Sequence, residues 1–402
     1  MSRSMDIYDA VVVGGGPAGA TAADVLARNG RSVLLLDKAG RIKPCGGAIP
    51  PRLIRDFAIP DHILKAKVQS ARMVSPSNNL VDMPIGDGYV GMVDRDEFDE
   101  WLRERAKESG AERRTGAFEH FDRDSDGTLQ IHYKARHGGA GDVGTVKTRM
   151  LIGADGARSE VGRQGVPGAG KIPFVYAYHE IIESPEPAET TAHFDAARCD
   201  VYYQGDVSPD FYGWVFPHGH TTSVGTGTAM KGQHSLRHAV GELRSRAGLS
   251  DAPTVRREGA PIPMKPLKRW DNGNDIILAG DAAGLVAPAS GEGIYYAMLG
   301  GQVVAEAVEL ALANGDARLL RTARRRFMKS HGQVFWILGM MQHFWYRNDK
   351  RRERFVKICE DRDVQRLTWD AYMNKELGKP DHAAHARIFF KDLAHLLGVA
   401  KA

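Results

Sequence analysis

The feature that most restricts how this chain can fold is a glycine pattern near its start. Gly14, Gly16 and Gly19 fit GxGxxG between Tyr8–Val13, a β-branched apolar run, and Ala18–Arg28, which is Ala-rich and helix-favouring. Ser32–Leu36 is strand-like again, so the segment predicts a βαβ unit of about thirty residues. In such a unit the first glycine permits a tight turn, and the second lets backbone approach a pyrophosphate at the helix N-terminus. Asp37 closes the second strand 18 residues after Gly19, where its carboxylate is placed to bind ribose hydroxyls. Ala18 and Lys38 complete the expected nucleotide contacts of this first motif.

The rest of the chain is consistent with a large enzyme. At 402 residues and 43% hydrophobic side chains it can bury a sizeable core, in two or three interleaved domains. A net charge of +4 is too small to argue for a nucleic-acid partner, and none is expected. Cys45, Cys199 and Cys359 lack CxxC spacing, which predicts free thiols in a reducing compartment. A strand-like run within the first ten residues leaves no room for a signal sequence, and a cytoplasmic protein is expected. No run of about 18 consecutive apolar residues is present, so no spanning helix is predicted.

Asp94–Ser109 reads as an amphipathic helix on Phe98, Leu102 and Ala106, ended by Gly110. Phe118–Leu151 alternates around a glycine-rich loop, His137–Gly144, as in a β-meander. Aromatic and β-branched residues recur between Tyr176 and Thr228, predicting a larger mixed sheet. Asp275–Ala279 returns to a buried-strand pattern before a helix over about Gly293–Asn314. The nucleotide domain is therefore expected at 1–75, 94–172 and 270–330, a second domain at 76–93 and 173–269, and a C-terminal helical region at 331–402.

Two further motifs follow strands. Leu151–Ser159 reads LIGADGARS, with Asp155 and Gly156, and Ile277–Gly284 reads ILAGDAAG, with Gly280 and Asp281. Pro288, Gly291, Glu292, Gly293 and Ile294 stand in order behind the second, and Arg95 opens a helix in VDRDEFDEWL. Together these resemble the FAD contacts of the flavoprotein superfamily that holds the aromatic hydroxylases and the geranylgeranyl reductases. The resemblance implies an α/β fold, a Rossmann-type FAD-binding domain with an inserted mixed-sheet substrate domain and a C-terminal helical extension. It places Asp281 near the ribityl chain, the Gly293 helix end near the flavin pyrimidine, and Arg95 beside FAD oxygens, unless Arg95 is a solvated helix charge. Only one nucleotide fingerprint is present, so NADPH is expected as a transient reductant.

Within that superfamily, Lys43–Pro51 (KPCGGAIPP), Phe211–Gly219 (FYGWVFPHG) and Cys359–Tyr372 (CEDRDVQRLTWDAY) resemble the geranylgeranyl reductase family of (bacterio)chlorophyll synthesis. The resemblance implies an oxidoreductase that saturates three of the four double bonds of a geranylgeranyl lipid to give phytyl, on a pigment ester or on the diphosphate. An isolated alkene is not polarised for hydride attack, so a flavin hydride must be matched by an acid at the other carbon. The resemblance also sets Cys45, Gly46 and Gly47 on a loop that approaches the flavin as cofactor contacts; Cys45 is one reading of that acid, and a small buried thiol without chemistry is the other. Tyr212, Trp214 and Phe216 alternate along a strand and share a face, either lining an isoprenoid channel or packing the core.

His218 and His220 follow that strand at a turn without a third ligand in their spacing, and no metal site is expected. Val334–Tyr346 (VFWILGMMQHFWY), between Lys329 and Lys350–Arg352, reads as part of an interfacial aromatic helix or a core helix. The first reading predicts peripheral contact with the inner or photosynthetic membrane. The Arg324–Arg326 cluster suits a diphosphate, a lipid surface or plain solvent. Two rivals share the cofactor motifs or the architecture: an FAD-dependent aromatic monooxygenase, which KPCGG and FYGWVFP disfavour, and a non-catalytic prenyl-binding escort, which the intact DG and GD motifs disfavour. Oligomeric state is not legible in these patterns.

Overall fold

The computed structural model describes residues 7–38, 40, 42–135, 143–185, 193–230 and 232–375. All but the last two residues of the loop expected at His137–Gly144 lie outside them. The chain divides into two compact units, each assembled from three stretches: Met1–Lys43, Arg95–Phe174 and Pro261–Gly339 in the first, Pro44–Asp94, Val175–Ala260 and Met340–Ala402 in the second.

In the first unit, β1 (Ile7–Val13), α1 (Pro17–Arg28) and β2 (Val33–Asp37) form the predicted βαβ unit. β1 pairs in parallel with β2 on one side and with Val143–Gly153 on the other, and Ile276–Leu278 extends the sheet in parallel beyond that strand. Val11, Val12, Leu34, Leu35 and Ile277 are fully or almost fully buried, as expected of a parallel sheet covered on both faces. Glu112–Arg123 changes partner along its length. Its first residues pair in parallel with β2, and Gly116–Arg123 pair antiparallel with Leu129–Ala135, which in turn pairs with Val143–Thr148. The meander thus grows out of the ends of sheet strands.

Helix Ile294–Asn314 packs on α1 at close range: an ideal Cβ on Gly301 would lie 2.2 Å from the Ala18 carbonyl oxygen. It is long and apolar enough to cross a membrane by composition, yet 61% of its apolar window is buried inside the protein, as in a core helix. Phe98, Leu102 and Ala106 of Arg95–Glu108 are fully buried, the face that their four-residue spacing predicts.

The second unit holds a seven-stranded sheet in the order Thr254–Pro263, Phe174–Glu183, Thr221–Thr228, Gly213–Pro217, Arg198–Tyr202, Ser70–Val74, Leu80–Pro84. Its core joins Val74, Ile182, Tyr202, Val215 and Val224 to Val240 and Leu243 of helix Leu236–Arg246. A smaller sheet joins Ala48–Ile49, Val90–Met92 and Ala66–Val68.

Three boundaries differ from the sequence expectation, and the third stretch of the nucleotide unit begins at Pro261 rather than at 270. The first stretch of the nucleotide unit ends at Lys43 rather than at 75, because Ser70–Val74 pairs in parallel with Arg198–Tyr202 in the second sheet. The C-terminal region 331–402 does not stand apart either. Thr322–Trp345 is one continuous helix, and the chain from Met340 onward belongs to the second unit, where Tyr346 and Phe355 pack on the Tyr203 ring at 5.6 and 5.0 Å.

Candidate functional site

The first unit gathers the three glycines at the carboxyl end of β1. Gly14 has φ +104°, and its N–H donates to the Leu36 carbonyl at 2.8 Å. An ideal Cβ there would lie 2.4 Å from the Ala154 carbonyl oxygen, so only glycine fits between the two backbones. At Gly19 an ideal Cβ would lie 1.9 Å from the Gly14 oxygen. Gly16 differs: nothing lies within 4 Å of its ideal Cβ, and it caps α1 without a side-chain hydrogen bond. Space is therefore open beside Gly16 at the N-terminus of α1, where the helix dipole draws anionic oxygen. Ala18 is buried on the packed side of the helix, its Cβ 2.6 Å from where a Gly280 Cβ would stand.

Asp37 ends β2 beside this turn, its Cγ 2.9 Å from the ideal Cβ of Gly15, and Lys38 after it is exposed. Arg103 reaches the same corner, donating to Gly15 O at 3.3 Å and to Asp37 Oδ2 at 3.4 Å. Glu100 steadies that guanidinium at 2.7 Å and is itself bridged by Arg113 at 2.6 and 2.8 Å. The Arg113 hydrogen bonds, helped by those of Arg103, hold the Glu100 carboxyl down at about 2. Because the folded value is depressed from 4.5, the contribution is complete above that pH and lost as the pH falls through about 2. Glu100→Gln should cost under ~1 kcal/mol at pH 7, since the side chain is 46% exposed and solvent-screened. Urea unfolding at neutral pH and near pH 2 tests this; an equal difference at both would contradict it.

Asp155, expected to touch the cofactor, has its carboxylate turned into the start of helix Glu160–Gly165. It accepts from the Ser159 hydroxyl, from Glu160 N at 2.7 Å and from Val161 N at 3.2 Å. Its carboxyl is thus a helix cap, and burial pushes its pKa up against those bonds. Gly156, at φ +90°, makes the turn behind it. Arg95 is also engaged within its own helix: it is 5% exposed, and its Nε and Nη2 donate to Asp99 at 2.8 and 2.7 Å. The solvated alternative for Arg95 is excluded by that burial.

Gly280 (φ +61°) and Asp281 follow strand Ile276–Leu278, and Asp281 is 7% exposed. Its carboxylate forms an ion pair with Lys43. Downstream, Ala287 N donates to Glu292 O at 2.9 Å and Gly291 N to Ala287 O at 3.0 Å, closing a tight loop around the buried Pro288. That loop delivers Gly293, which caps helix Ile294–Asn314 without a side-chain bond, its ideal Cβ 3.9 Å from Asp281 Oδ1. A second helix N-terminus and a buried carboxylate with its cation therefore stand together.

In the second unit, Cys45, Gly46 and Gly47 make a turn in which Gly47 N–H donates to Cys45 Sγ at 3.4 Å. Gly47 (φ +73°) is held in turn by Val93 N–H at 2.9 Å. The turn lies on the aromatic strand: an ideal Cβ on Gly46 would be 3.0 Å from Phe216 Cδ2 and 3.9 Å from Trp214 Nε1. Tyr212, Trp214 and Phe216 run along one face, with successive ring centroids 6.1 and 6.4 Å apart. Trp214 is buried and donates to Ser223 Oγ at 3.0 Å, while Tyr212 and Phe216 are half-buried. His220 is exposed, whereas His218 is buried. It is 6% exposed, with Nδ1 2.8 Å from Asp94 Oδ1 and Nε2 3.0 Å from Gly46 O.

Comparison with known proteins fits these parts. A profile of the FAD-binding domain family matches residues 7–329. The geranylgeranyl diphosphate reductase of Rhodobacter capsulatus is 57% identical over 392 residues, 98% of each chain. The chain belongs to the geranylgeranyl reductase family. The geranylgeranyl diphosphate reductase of Synechocystis is 36% identical over 96% of this chain and 97% of that one. Among solved structures, a geranylgeranyl bacteriochlorophyll reductase-like protein from Thermoplasma acidophilum shares the fold with a TM-score of 0.80 at 21% identity, covering 95% and 100% of the two chains.

For a geranylgeranyl reductase family member, the first unit fits FAD on its own features: two helix N-termini without side-chain caps, a glycine turn that a Cβ would fill, and an acid at the end of β2. Three contacts escaped the sequence reading. Arg103 lies 66 residues from Asp37, Lys43 lies 238 from Asp281, and His218 lies 124 from Asp94, so no local spacing joins them. Lys43 and His218 did stand inside the quoted motifs, which was the available signal. Although no metal was expected, the described residues include one group, His120, Asp122 and His132, whose ligand atoms lie within 4.8 Å of one another on the meander. Their nearness follows from cross-strand pairing of His120 with His132, which also stack at 4.4 Å.

Proposed function

We propose that this chain is an FAD-dependent reductase that saturates three double bonds of a geranylgeranyl chain to give phytyl, on a (bacterio)chlorophyll or on geranylgeranyl diphosphate, with NADPH as transient reductant. The observation that carries the reading is the 57% identity to a geranylgeranyl diphosphate reductase over 98% of both chains. Gly14, Gly16 and α1 would hold the pyrophosphate, Asp37 the ribose, and Asp281 with the Gly293 helix end the flavin side. FAD, when bound and reduced, supplies a hydride to one alkene carbon. Cys45 supplies the proton to the other carbon. Trp214 and Phe216, which flank Gly46 next to that cysteine, offer the alkene chain an apolar wall.

The test is anaerobic incubation of the purified protein with NADPH and geranylgeranyl-bacteriochlorophyll, or with geranylgeranyl diphosphate, followed by mass spectrometry. Successive gains of two hydrogens support the reading, and the preferred acceptor names the substrate. Product that forms only with oxygen would replace it with the monooxygenase, and a colourless protein that binds the lipid would replace it with the escort.

The same reading places the protein on the cytoplasmic face of the membrane that holds its lipid. Trp336 and Met340, four residues apart in helix Thr322–Trp345, are 66% and 51% exposed, while Phe335 and Trp345 are buried. Large apolar side chains at that spacing share a helix face suited to the headgroup boundary. Anionic liposomes should sediment the protein, and Trp336→Ala with Met340→Ser should lower the bound fraction about tenfold or more, each lost side chain being worth roughly 1 kcal/mol. Full recovery of the unmodified protein in the supernatant would refute the placement.

A further inference from the structure

Both ring nitrogens of His218 have a partner. Gly46 O is a carbonyl and only accepts, so Nε2 carries a hydrogen. Burial pushes the Asp94 carboxyl up, but the His218 hydrogen bond and charge together with the charges of Arg256 and Lys65 bring it below its ordinary value, so the group 2.8 Å from Nδ1 is a carboxylate, which also only accepts. Two acceptors thus bracket the ring, which is 6% exposed, and only an imidazolium donates to both. Lys65 and Arg256 are the other charges that face Asp94.

The carbonyl that His218 grips and the N–H that reaches Cys45 belong to a single peptide group, the one joining Gly46 to Gly47. A cation on the oxygen of a peptide draws electron density from its nitrogen and strengthens the N–H as a donor. The turn has no freedom to do otherwise. At Gly47 an ideal Cβ would lie 2.3 Å from His218 Cε1 and 2.5 Å from Val93 O, so the peptide is pressed against the ring that polarises it.

We infer that Asp94 and His218 are positioning residues for Cys45, acting through the Gly46–Gly47 peptide to stabilise negative charge on its sulfur. Resting on the proposed role of Cys45, this gives the proton transfer its balance. The S–H bond breaks, a C–H bond forms at the alkene carbon opposite the hydride, and the electron pair stays on sulfur as a thiolate that accepts a hydrogen bond from the Gly47 N–H. Water then returns the proton to the thiolate. The relay belongs to the second unit alone and needs no group supplied by the cofactor.

Cys45 is the one cysteine that is not buried, so peptide-resolved alkylation with iodoacetamide reads its sulfur directly in the purified, FAD-loaded protein. His218→Gln keeps an N–H donor for Gly46 but removes the charge, and Asp94→Asn removes the counter-ion. Both should slow alkylation at neutral pH by about tenfold and lower kcat with KM for the lipid little changed, while ring ¹⁵N shifts of the unmodified protein report two protonated nitrogens on His218. Mere loosening of the turn would expose the sulfur and speed alkylation. Rates at or above that of the unmodified protein in both variants, or a neutral His218 ring, would overturn the relay. If alkylation slows as expected while Cys45→Ser still reduces the lipid, the relay stands and the proton-donor reading of Cys45 falls.

Discussion

Gly14→Ala should yield a colourless protein that no longer retains FAD. The substitution meets two obstacles together: a φ of +104° that side chains rarely adopt, and a carbonyl oxygen 2.4 Å from the new Cβ. Left-handed strain alone costs on the order of 1–3 kcal/mol, and a backbone clash that cannot be relieved by rotating a side chain adds to it. Relief requires β1 to part from the Ala154 segment, which would move the turn that faces the first amides of α1. Gly30→Ala is the matching control. Its φ is +80°, but nothing lies within 4 Å of its ideal Cβ, so it should lose about 1–2 kcal/mol and stay yellow. The flavin absorption spectrum of each purified variant, with its urea midpoint, separates strain from cofactor loss; a yellow Gly14→Ala would refute the assignment of this turn.

Cys45→Ser should abolish alkene reduction while leaving FAD bound and reducible by NADPH. The serine hydroxyl fits the space of the thiol, which rests on the turn beside Phe216 and Trp214, but it is a far weaker acid. Loss of a positioned general acid corresponds to about 10²–10⁴-fold in rate. Cys199 and Cys359 are buried and offer no substitute, and burial pushes the Cys199 thiol well up from its ordinary value. Anaerobic stopped-flow separates the two half-reactions: flavin reduction at the normal rate with lipid turnover lost supports the assignment, and turnover within a few-fold of normal refutes it.

Much of the first unit is legible because its determinants are local. A β-branched run, three glycines and a terminal acid within one βαβ unit dictate a parallel strand, a turn without room for Cβ atoms and a helix N-terminus, whatever the rest of the chain does. The amphipathic helix at Arg95–Glu108 and the meander followed from periodicity in the same way. The residue types of the later motifs were equally visible, but their roles depend on where side chains turn. Asp155 caps its own helix because Ser159, Glu160 and Val161 fold back over it, and Arg95 is taken up by Asp99 one turn on.

What the sequence by itself determined is thus the nucleotide-binding scaffold and the family, since both rest on short contiguous patterns that force a backbone shape. Only the tertiary structure decided the boundary at Lys43, where a strand at Ser70–Val74 is claimed by a partner more than a hundred residues later. It alone also decided the partners of His218. A histidine after a strand reads as a turn residue until the fold brings Asp94 to one ring nitrogen and the Gly46 carbonyl to the other. Electrostatics of that kind depend on distance through space, and sequence separation carries no record of it.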